Sequence, residues 1–348
     1  MSVHQSRGEL MLSAPRGVVD SITPEGIVGW LYPSGTESHA TAVVEFTWES
    51  NATVARSLAV SLTADAIRAD LNKLQVGYRW APHAALLEML PRGCRVSVMN
   101  QNGYEIPHAK KARNEPIGTA DDASKLEELL DQGYVLSAKS GSLYRPFSAW
   151  SERDTAQYLD SAMEVSASCA PTWGVAGMLA YGSLLGAIRG QSLIPHDDDI
   201  DLLVPIQAAS IESAVATWIS GLRDMADSGM NVVFLEDGMH AHVGASGRPL
   251  VDLWPYWVRS DGSFFHSQGI RRGTLADFFP SRGMLEGRTF WVPSGYDSVL
   301  RQLYGPEYMR PNPAFQYTLP ESDLRRSDWN RQFVIRWPEA LQSGTDSR

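Results

Sequence analysis

Hydrophobic and polar positions follow two different patterns along the chain. From residue 16 to about residue 109, short segments alternate apolar and polar side chains and are separated by Gly, Pro, Ser and Asn, as in residues 26–32, 41–48, 57–62 and 95–99. Alternation with a period of two is typical of half-buried strands, so this region is predicted to be a small β-sandwich-like accessory domain. Inside it, residues 63–74 space their apolar positions as a helix would, which predicts a helical insert.

The pattern changes after residues 110–122, a polar stretch that is predicted to be a linker. Ser151 and Asp154 then form a Ser-x-x-Asp capping box, which predicts a helix through about residue 169. Strands are predicted at 173–181, 232–235, 240–243 and 250–257, and further helices at 123–132 and 207–225.

This mixed order of helices and strands favours an α+β fold, in which helices flank a mixed sheet. We predict that the fold spans residues 123–330, preceded by the β-rich domain at 16–109. Residues 1–15 are predicted to be a flexible N-terminus, and residues 331–348 a C-terminal tail.

The stretch YGSLLGAIRGQSLIPHDDDIDLLVP sets a run of carboxylates at the start of an apolar strand. Strand side chains alternate between two faces, so Asp197, Asp199 and Asp201 are expected on one face, with Leu202 and Val204 on the other. Carboxylates two positions apart lie roughly 6–7 Å apart at the backbone, close enough to converge on one divalent ion or to bridge two. Hard oxygen ligands predict Mg²⁺, or Mn²⁺, as the ion that the three aspartates bind.

Gly182 and Ser183 come directly before the apolar segment LLGAI, which is predicted to be helical. The free N–H groups of a helix N-terminus attract phosphate, and Arg189 adds a positive charge further along. A phosphate cradle followed at short spacing by metal-binding carboxylates is typical of phosphoryl or nucleotidyl transfer, because that chemistry depends on positioning and charge neutralisation.

Two simpler interpretations compete with a metal site. Three alternating Asp residues can form a solvated turn, and a lone Asp-x-Asp is more often a turn than a site. An EF-hand calcium loop would need Gly at its sixth position and Glu at its twelfth, where this chain has Leu202 and Ala208. The flanking apolar runs favour the metal site, because burying unpaired carboxylates is costly unless a cation compensates them.

The segment GSLLGAIRG…IPHDDDIDLLV resembles the signature of the LicD family, the fukutin-related group, within the nucleotidyltransferase-fold superfamily. VDLWP is similar to the segment that supplies the family's third carboxylate, which here is Asp252. Residues 285–311 resemble its closing pattern of strand, proline, helix and Tyr-Gly, so the matches run in order from about residue 154 to residue 313. The resemblance implies a nucleotidyltransferase-like fold in which Asp199, Asp201 and Asp252 are catalytic and bind the metal.

The resemblance also implies a function. The expected reaction transfers a phospho-alcohol group, of the phosphocholine or polyol phosphate type, from a nucleoside-diphosphate-linked donor to a hydroxyl of a cell-surface glycan or its precursor. Among nucleoside-diphosphate-linked donors, a CDP-linked one is the main expectation. A nucleotidyltransferase that moves a nucleoside monophosphate onto a sugar, drug or protein is the alternative. A non-catalytic glycan-binding protein is a second alternative, which the intact series of aspartates disfavours.

Five further residues are assigned by their positions. His196 stands where the family has Trp, and Arg271 and Arg272 lie in a Gly-flanked stretch that is expected to be a loop. All three are candidate substrate-binding residues, since arginines can grip a diphosphate bidentately, although solvated surface charge is the competing interpretation for the arginines. His240 and His242 alternate on one strand face, which we expect to be exposed; a zinc pair or a substrate contact is the alternative.

Composition narrows the expected partners. The chain has 348 residues and a net charge of −10, without a basic stripe, which disfavours nucleic-acid binding. Cys94 and Cys169 give no disulfide framework and suggest a reducing compartment. No run reaches the roughly 18 apolar residues that a membrane span needs. We therefore expect a cytoplasmic protein, for which peripheral membrane contact stays open.

Overall fold

The computed structural model describes residues 16–33, 39–50, 54–71, 74–234, 238–261, 263–266, 269–311 and 328–336. The chain divides into two compact units, Met1–Arg145 and Pro146–Arg348. Both strands and helices occur, which confirms the α+β class. The flexible N-terminus predicted at 1–15 lies outside the described residues. Within the described part of the chain, no helix combines the length and hydrophobicity that a bilayer crossing requires.

The first unit consists mainly of strands around one hydrophobic core. Its strands are β1 (Gly17–Thr23), β2 (Gly26–Leu31), β3 (Ala40–Ser50), β4 (Val54–Ala64), β5 (Ala66–Arg68), β6 (Leu74–Trp80), β7 (Arg95–Asn100), β8 (His108–Asn114), β9 (Val135–Leu136) and β10 (Leu143–Tyr144), and its helices are α1 (Ala84–Leu87) and α2 (Ser124–Asp131). One sheet has the order β5-β6-β2-β1-β8 and another β4-β3-β7. Ile27 of the former and Phe46 of the latter lie in the same core. The β-rich character predicted for this region is observed, and the sandwich arrangement stays a prediction.

The helical insert predicted at residues 63–74 is wrong. The chain there finishes β4, forms strand β5 and makes a 3₁₀ turn at Ala69–Leu71. β5 pairs antiparallel with β6, and Ile67 on it is 65% exposed. A short apolar spacing fits a helix and a strand alike, so pairing with a neighbouring strand decides the outcome.

The linker predicted at residues 110–122 is also corrected, since this stretch belongs to the first unit. β8 pairs in parallel with β1, so its polar side chains sit on a hydrogen-bonded backbone. The N–H groups of Thr119 and Ala120 donate to the carbonyls of Leu87 and Leu90, at 3.1 and 3.0 Å. Polar composition indicated exposure, but the backbone hydrogen bonds determine the structure.

The second unit contains a seven-stranded sheet. Its strands are β11 (Met178–Leu179), β12 (Asp201–Gln207), β13 (Met230–Phe234), β14 (Ala241–Ala245), β15 (Val251–Val258), β16 (Ser263–His266), β17 (Gly269–Arg272), β18 (Pro280–Leu285) and β19 (Arg288–Pro293), and its helices are α3 (Glu152–Trp173), α4 (Tyr181–Arg189), α5 (Ile211–Asp227) and α6 (Tyr296–Tyr304). The sheet has the order β11-β12-β15-β14-β13, with β16 paired to β15 and β17 to β16. β18 and β19 form a separate hairpin.

The end of this unit differs from the prediction. Residues 328–336 are helical, and Trp329 and Phe333 are buried in the core of the second unit. The tail predicted at 331–348 therefore starts too early, because Phe333 still packs against the fold. Residues 337–348 lie outside the described part of the chain.

Strand β12 is buried on both faces. Leu202 and Val204 point to a core that includes residues of α3 and α5, whereas Leu203 joins a second core that includes Val299 of α6. Parallel strands of this kind read as continuous apolar runs, as DLLVPI does here. The predicted helices around residues 151–169 and 207–225 are confirmed as α3 and α5, and Ser151 caps α3 by accepting a hydrogen bond from the Asp154 N–H at 3.1 Å.

The strand predicted at 173–181 is much shorter than expected. Helix α3 continues to Trp173, and Gly174 ends it with a left-handed backbone conformation, φ 76°. Glycine adopts this conformation without strain, so it is the usual residue after a helix. Only Met178 and Leu179 remain as strand β11.

Gly186 allows the chain that follows α4 to pack directly on that helix. A Cβ atom at Gly186 would lie 2.4 Å from the carbonyl oxygen of Ser192. From the other side, Glu286 Oε1 accepts a hydrogen bond from the Leu193 N–H at 2.8 Å. These contacts fix the loop that leads into the carboxylate run.

Gly186→Ala is expected to destabilise the protein, although Ala is favoured over Gly in a helix by about 1 kcal/mol. The new methyl group collides with a backbone carbonyl, and overpacking of this kind costs about 1–3 kcal/mol. Urea denaturation followed by tryptophan fluorescence measures the change in unfolding free energy. Gly190→Ala is the matched control, because its Cβ meets only the Ser192 hydroxyl, at 3.4 Å. A Gly186→Ala variant that is more stable than the wild type would contradict the close packing.

Candidate active site

Three carboxylates meet where two parallel strands begin. Asp201 is the first residue of β12, and the strand register pairs it directly with Asp252 of β15. Together with Asp199, these side chains bring one ligand oxygen each to within 4.8 Å of one another. The expected adjacency of Asp252 and Asp201 is therefore present.

Asp201 is the buried member of this cluster, with 7% of its surface exposed. Its Oδ1 accepts a hydrogen bond from the Trp254 indole N–H at 2.8 Å, and its backbone N–H donates to Ser183 Oγ at 3.0 Å. Burial, followed by the charges of Asp199 and Asp252, raises the pKa of Asp201 well above its ordinary value. The hydrogen bond from Trp254 acts in the opposite direction and is the weaker influence.

Asp197 and Asp199 precede the strand, although both were expected to lie in it. The backbone before β12 is tied to other elements: the Phe147 N–H donates to the Asp197 carbonyl at 2.7 Å, and the Ile200 N–H donates to the Tyr158 hydroxyl at 3.0 Å. Residues 197–199 lie outside the strand ladder, whereas the Ile200 carbonyl accepts the Asp252 N–H at 3.0 Å. The period-two argument therefore holds from Asp201 onward but not before it.

The loop carboxylates form a second group beside the first. Asp197, Asp198 and Asp199 place their ligand oxygens within 4.8 Å of one another. We call this loop group, formed by Asp197, Asp198 and Asp199, the outer group. Asp199 belongs to both groups, whereas Asp197 belongs to the outer group only. Asp198, which the alternation placed on the opposite face, is a member that the sequence argument missed.

Helix α4 begins next to the outer group. A Cβ atom at Gly182 would lie 2.1 Å from Asp197 Oδ2, so glycine makes room for that carboxylate. Ser183 is buried, and its hydroxyl accepts the Asp201 N–H, which links the start of α4 to the start of β12. Tyr181, the first residue of α4, has a φ of 40°, a left-handed conformation that is unusual for a residue with a side chain.

Arg189 does not lie at the start of α4. It is seven residues beyond Gly182, which is about 10 Å along a helix axis. Its guanidinium donates to the carbonyl oxygens of Tyr308 and Arg310, at 2.6 and 3.1 Å. In this structure Arg189 thus holds the segment that follows α6.

The other predicted substrate-binding residues lie on separate elements. Arg271 and Arg272 are on strand β17, so the expected loop is wrong at these positions. β17 pairs with β16, and the Arg272 N–H donates to Gln302 Oε1 at 2.8 Å. His196 is exposed in the turn immediately before Asp197. Only His196 adjoins the carboxylate run along the chain.

His240 and His242 face Asp252, which corrects the expectation that they lie on an exposed face. His242 is the register partner of Asp252 across β14 and β15, and its Nε2 lies 3.3 Å from Asp252 Oδ1. His240 Nε2 lies 3.7 Å from Asp252 Oδ2. The side chain of His242 is 36% exposed and that of His240 is 15% exposed. Burial lowers the pKa of His242, which favours its neutral form.

Trp254 and Tyr158 complete the surroundings of the acids, and the sequence argument assigned neither. Trp254 follows Asp252 by two positions, so the same alternation could have identified it as a neighbour of the cluster. Tyr158 lies on α3, and no local signal connects it with Ile200. Burial raises the pKa of the Tyr158 hydroxyl well above its usual range, so it remains protonated.

The residues present fit a divalent metal ion. Burial, together with the charges of two neighbouring carboxylates, disfavours the charged form of Asp201, and a bound cation would favour it. Asp199, Asp201 and Asp252 offer the hard oxygen atoms that Mg²⁺ and Mn²⁺ prefer.

Asp201→Asn is expected to stabilise the metal-free protein at neutral pH. The folded pKa of Asp201 exceeds its ordinary value of 3.8, so the stability that its proton provides is lost as the pH rises through the folded pKa. Asn keeps the acceptor for Trp254 and removes the charge. With chelator present, the unfolding free energy of the Asp201→Asn variant should exceed that of the wild type by about 1 kcal/mol or more near pH 8. The difference should disappear near pH 3.5.

The matched control is Asp224→Asn, which removes an exposed carboxylate from α5. It should show no comparable dependence on pH. If Asp201→Asn lowered the stability across the whole range, the charge repulsion inferred for the cluster would be wrong.

Residues 174–293, about a third of the chain, match the family model described as LicD/FKTN/FKRP, nucleotidyltransferase domain. The crystal structure of the lincosamide antibiotic adenylyltransferase LnuA, bound to lincomycin, is similar over 53% of this chain and 98% of that one, at 14% identity and a TM-score of 0.26. That score is too low for an inference about function. A search of curated proteins finds no match.

The family match confirms the resemblance read from the sequence and indicates a transferase of the phosphotransferase or nucleotidyltransferase type. The matched stretch contains the start of α4 and both groups of carboxylates. Over residues 174–293, the chain matches the nucleotidyltransferase domain of the LicD family.

Proposed function

We propose that the second unit is a cytoplasmic, metal-dependent phosphotransferase. It moves a phospho-alcohol group from a nucleoside-diphosphate-linked donor to a hydroxyl of a cell-surface glycan or its precursor. Among the possible donors, we favour a CDP-linked one. The observation that carries this proposal is the convergence of Asp199, Asp201 and Asp252 at the start of two paired parallel strands. Such a cluster is suited to phosphoryl transfer, in which positioning and charge neutralisation supply most of the catalysis.

Asp199, Asp201 and Asp252 would hold Mg²⁺ or Mn²⁺, with Asp197 close by in the outer group. An ion held there would neutralise phosphate charge and so favour departure of the leaving group. The role of Trp254 and Ser183 is to fix Asp201, one through its carboxylate and the other through its backbone N–H.

The start of α4 is the proposed contact for the donor's diphosphate. The first N–H groups of a helix are not used by its internal hydrogen bonds, so a helix start is suited to phosphate oxygens. Gly182 lets this end of the helix approach the acidic loop closely. His196 and Arg272 remain proposed donor contacts, whereas the hydrogen bonds of Arg189 to Tyr308 and Arg310 favour a structural role for it.

The reaction balances as a single displacement. The acceptor hydroxyl oxygen forms a bond to the phosphorus of the phospho-alcohol group, and the bond from that phosphorus to the bridging oxygen of the diphosphate breaks. The nucleoside monophosphate leaves with the bridging oxygen and its electron pair. The hydroxyl proton passes to Asp252 or to water. The product is a phosphodiester-linked substituent on the glycan.

A nucleotidyltransferase is the second candidate, and the description of the matched family model as a nucleotidyltransferase domain favours it. It would use the same carboxylates and keep the other side of the diphosphate, so that pyrophosphate leaves a nucleoside triphosphate. A non-catalytic glycan-binding role is less consistent with the site, because all three carboxylates are present and in contact range.

We expect the purified protein, supplied with Mg²⁺ or Mn²⁺, to release a nucleoside monophosphate from one member of a panel of CDP-, UDP- and GDP-linked donors. Chelator should abolish the release, and Asp199→Asn/Asp201→Asn should reduce it about a thousandfold, since metal ligands contribute several kcal/mol to catalysis. Chromatographic separation of the nucleotides gives the rate and identifies the donor.

Asp224→Asn is the matched control for the loss of a carboxylate and should keep the wild-type rate. Release of pyrophosphate from free nucleoside triphosphates would favour the nucleotidyltransferase. If no donor reacts, metal-dependent binding of the donors is measured by calorimetry. A protein that neither releases nor binds nucleotide would refute the proposed function.

A further inference from the structure

Two histidines, one on β14 and one directly before it, lie beside the carboxylate cluster and form a further group of potential ligands with Asp252. His240, His242 and Asp252 place one ligand atom each within 4.8 Å of one another. Asp252 is common to this group and to the carboxylate cluster. In the strand register, Asp201, Asp252 and His242 form one row across β12, β15 and β14. The row therefore has oxygen ligands on one side of Asp252 and imidazole nitrogens on the other.

The distances suit a shared ion. Metal bonds of about 2.0–2.2 Å place two ligand atoms about 3.4 Å apart at tetrahedral angles and about 3.0 Å apart at octahedral ones. The two His Nε2 atoms lie 3.3 and 3.7 Å from different oxygens of Asp252. These separations are close to those of ligand atoms on one ion, and all three groups have a ligand atom within 4.8 Å of the others.

The His240 ring is held in place. It stacks on the Trp254 indole with ring centroids 4.0 Å apart and an angle of 15° between the planes. The same indole donates its N–H to Asp201. Trp254 therefore orients one ligand of each group, and oriented ligands of this kind are what metal sites depend on.

We propose that His240, His242 and Asp252 form a second metal site, which takes a Zn²⁺-like transition-metal ion and shares Asp252 with the carboxylate cluster. Imidazole nitrogen binds zinc and related ions in preference to Mg²⁺, whereas the all-carboxylate group suits Mg²⁺ or Mn²⁺. The two groups thus differ in the ions that they select. Two bound cations would favour the deprotonated form of Asp252 and make it a weak base. This site therefore assigns Asp252 the role of ligand, and the hydroxyl proton of the proposed reaction passes to water.

The site is tested on the full chain, stripped of metal with chelator and titrated with Co²⁺ as the probe. Co²⁺ bound to nitrogen and oxygen ligands absorbs visible light, so binding and ligand type are read together. We expect a visible band that Zn²⁺ displaces and excess Mg²⁺ does not. His240→Ala/His242→Ala should lose the band and weaken Co²⁺ binding at least about tenfold.

Three further variants separate the explanations. Asp199→Asn/Asp201→Asn should keep the Co²⁺ band, even though it loses the activity proposed above. His39→Gln, which changes an exposed histidine of the first unit, should behave as the wild type. His242→Gln changes the more exposed of the two site histidines and serves if the double His variant fails to fold, as judged by circular dichroism.

A wild type without the band, or binding that survives in the folded histidine variants, would overturn the inference; the imidazoles would then only hydrogen-bond to Asp252. The inference would also be overturned if Asp199→Asn/Asp201→Asn lost Co²⁺ binding while the histidine variants kept it. The inference extends the proposed function through Asp252, but the titration uses no donor. Failure of the metal site and failure of the transferase reaction are therefore distinguishable.

Discussion

The site depends on the parallel pairing of β12 with β15, which sets Asp201 and Asp252 side by side at the end of a buried sheet. Two carboxylates at this separation repel each other, and burial increases the penalty. The strands oppose it with backbone hydrogen bonds and with the residues that follow each acid, Leu202 and Leu253, both fully buried. A slip of one residue would move every side chain of a strand to its opposite face, so the packing of these leucines determines the register. The same strands that stabilise the fold thus maintain an unfavourable concentration of charge.

Hydrogen bonds with three side chains hold Asp201 and the residue before it in position. Trp254 donates to the carboxylate of Asp201, Ser183 accepts its backbone N–H, and Tyr158 accepts the N–H of the residue before it. None of these three side chains carries a positive charge. A bound cation would compensate the negative charge of the cluster, and this is consistent with metal-assisted phosphoryl transfer.

Asp252 has a different position from the other acids because it lies on the middle strand of the row. Strand β12 places Asp201 beside Asp252 on one side, and strand β14 places His242 beside it on the other. A carboxylate between hard oxygen ligands and imidazole nitrogens can serve two kinds of ion at once. Trp254 contacts both sides, since its ring stacks on His240 and its N–H reaches Asp201. The two halves of the site are thus connected through β15.

The sequence by itself determined several of the local elements and much of the acid set. The apolar run after Asp201 predicted the strand, the Ser151 cap predicted α3, and the LicD resemblance supplied Asp252. It did not determine where β12 begins, or that Arg189 binds the carbonyls after α6, since these depend on contacts between residues far apart in the chain.

Sequence periodicity also placed His240 and His242 on one face of a strand. It could not show that this face turns toward Asp252. Periodicity reports which residues share a side of an element, because it follows from the geometry of a single strand or helix. Which elements become neighbours, and in what register, is set by burial and hydrogen bonding between distant segments. The tertiary structure alone decided that Asp201, Asp252 and His242 form one continuous row.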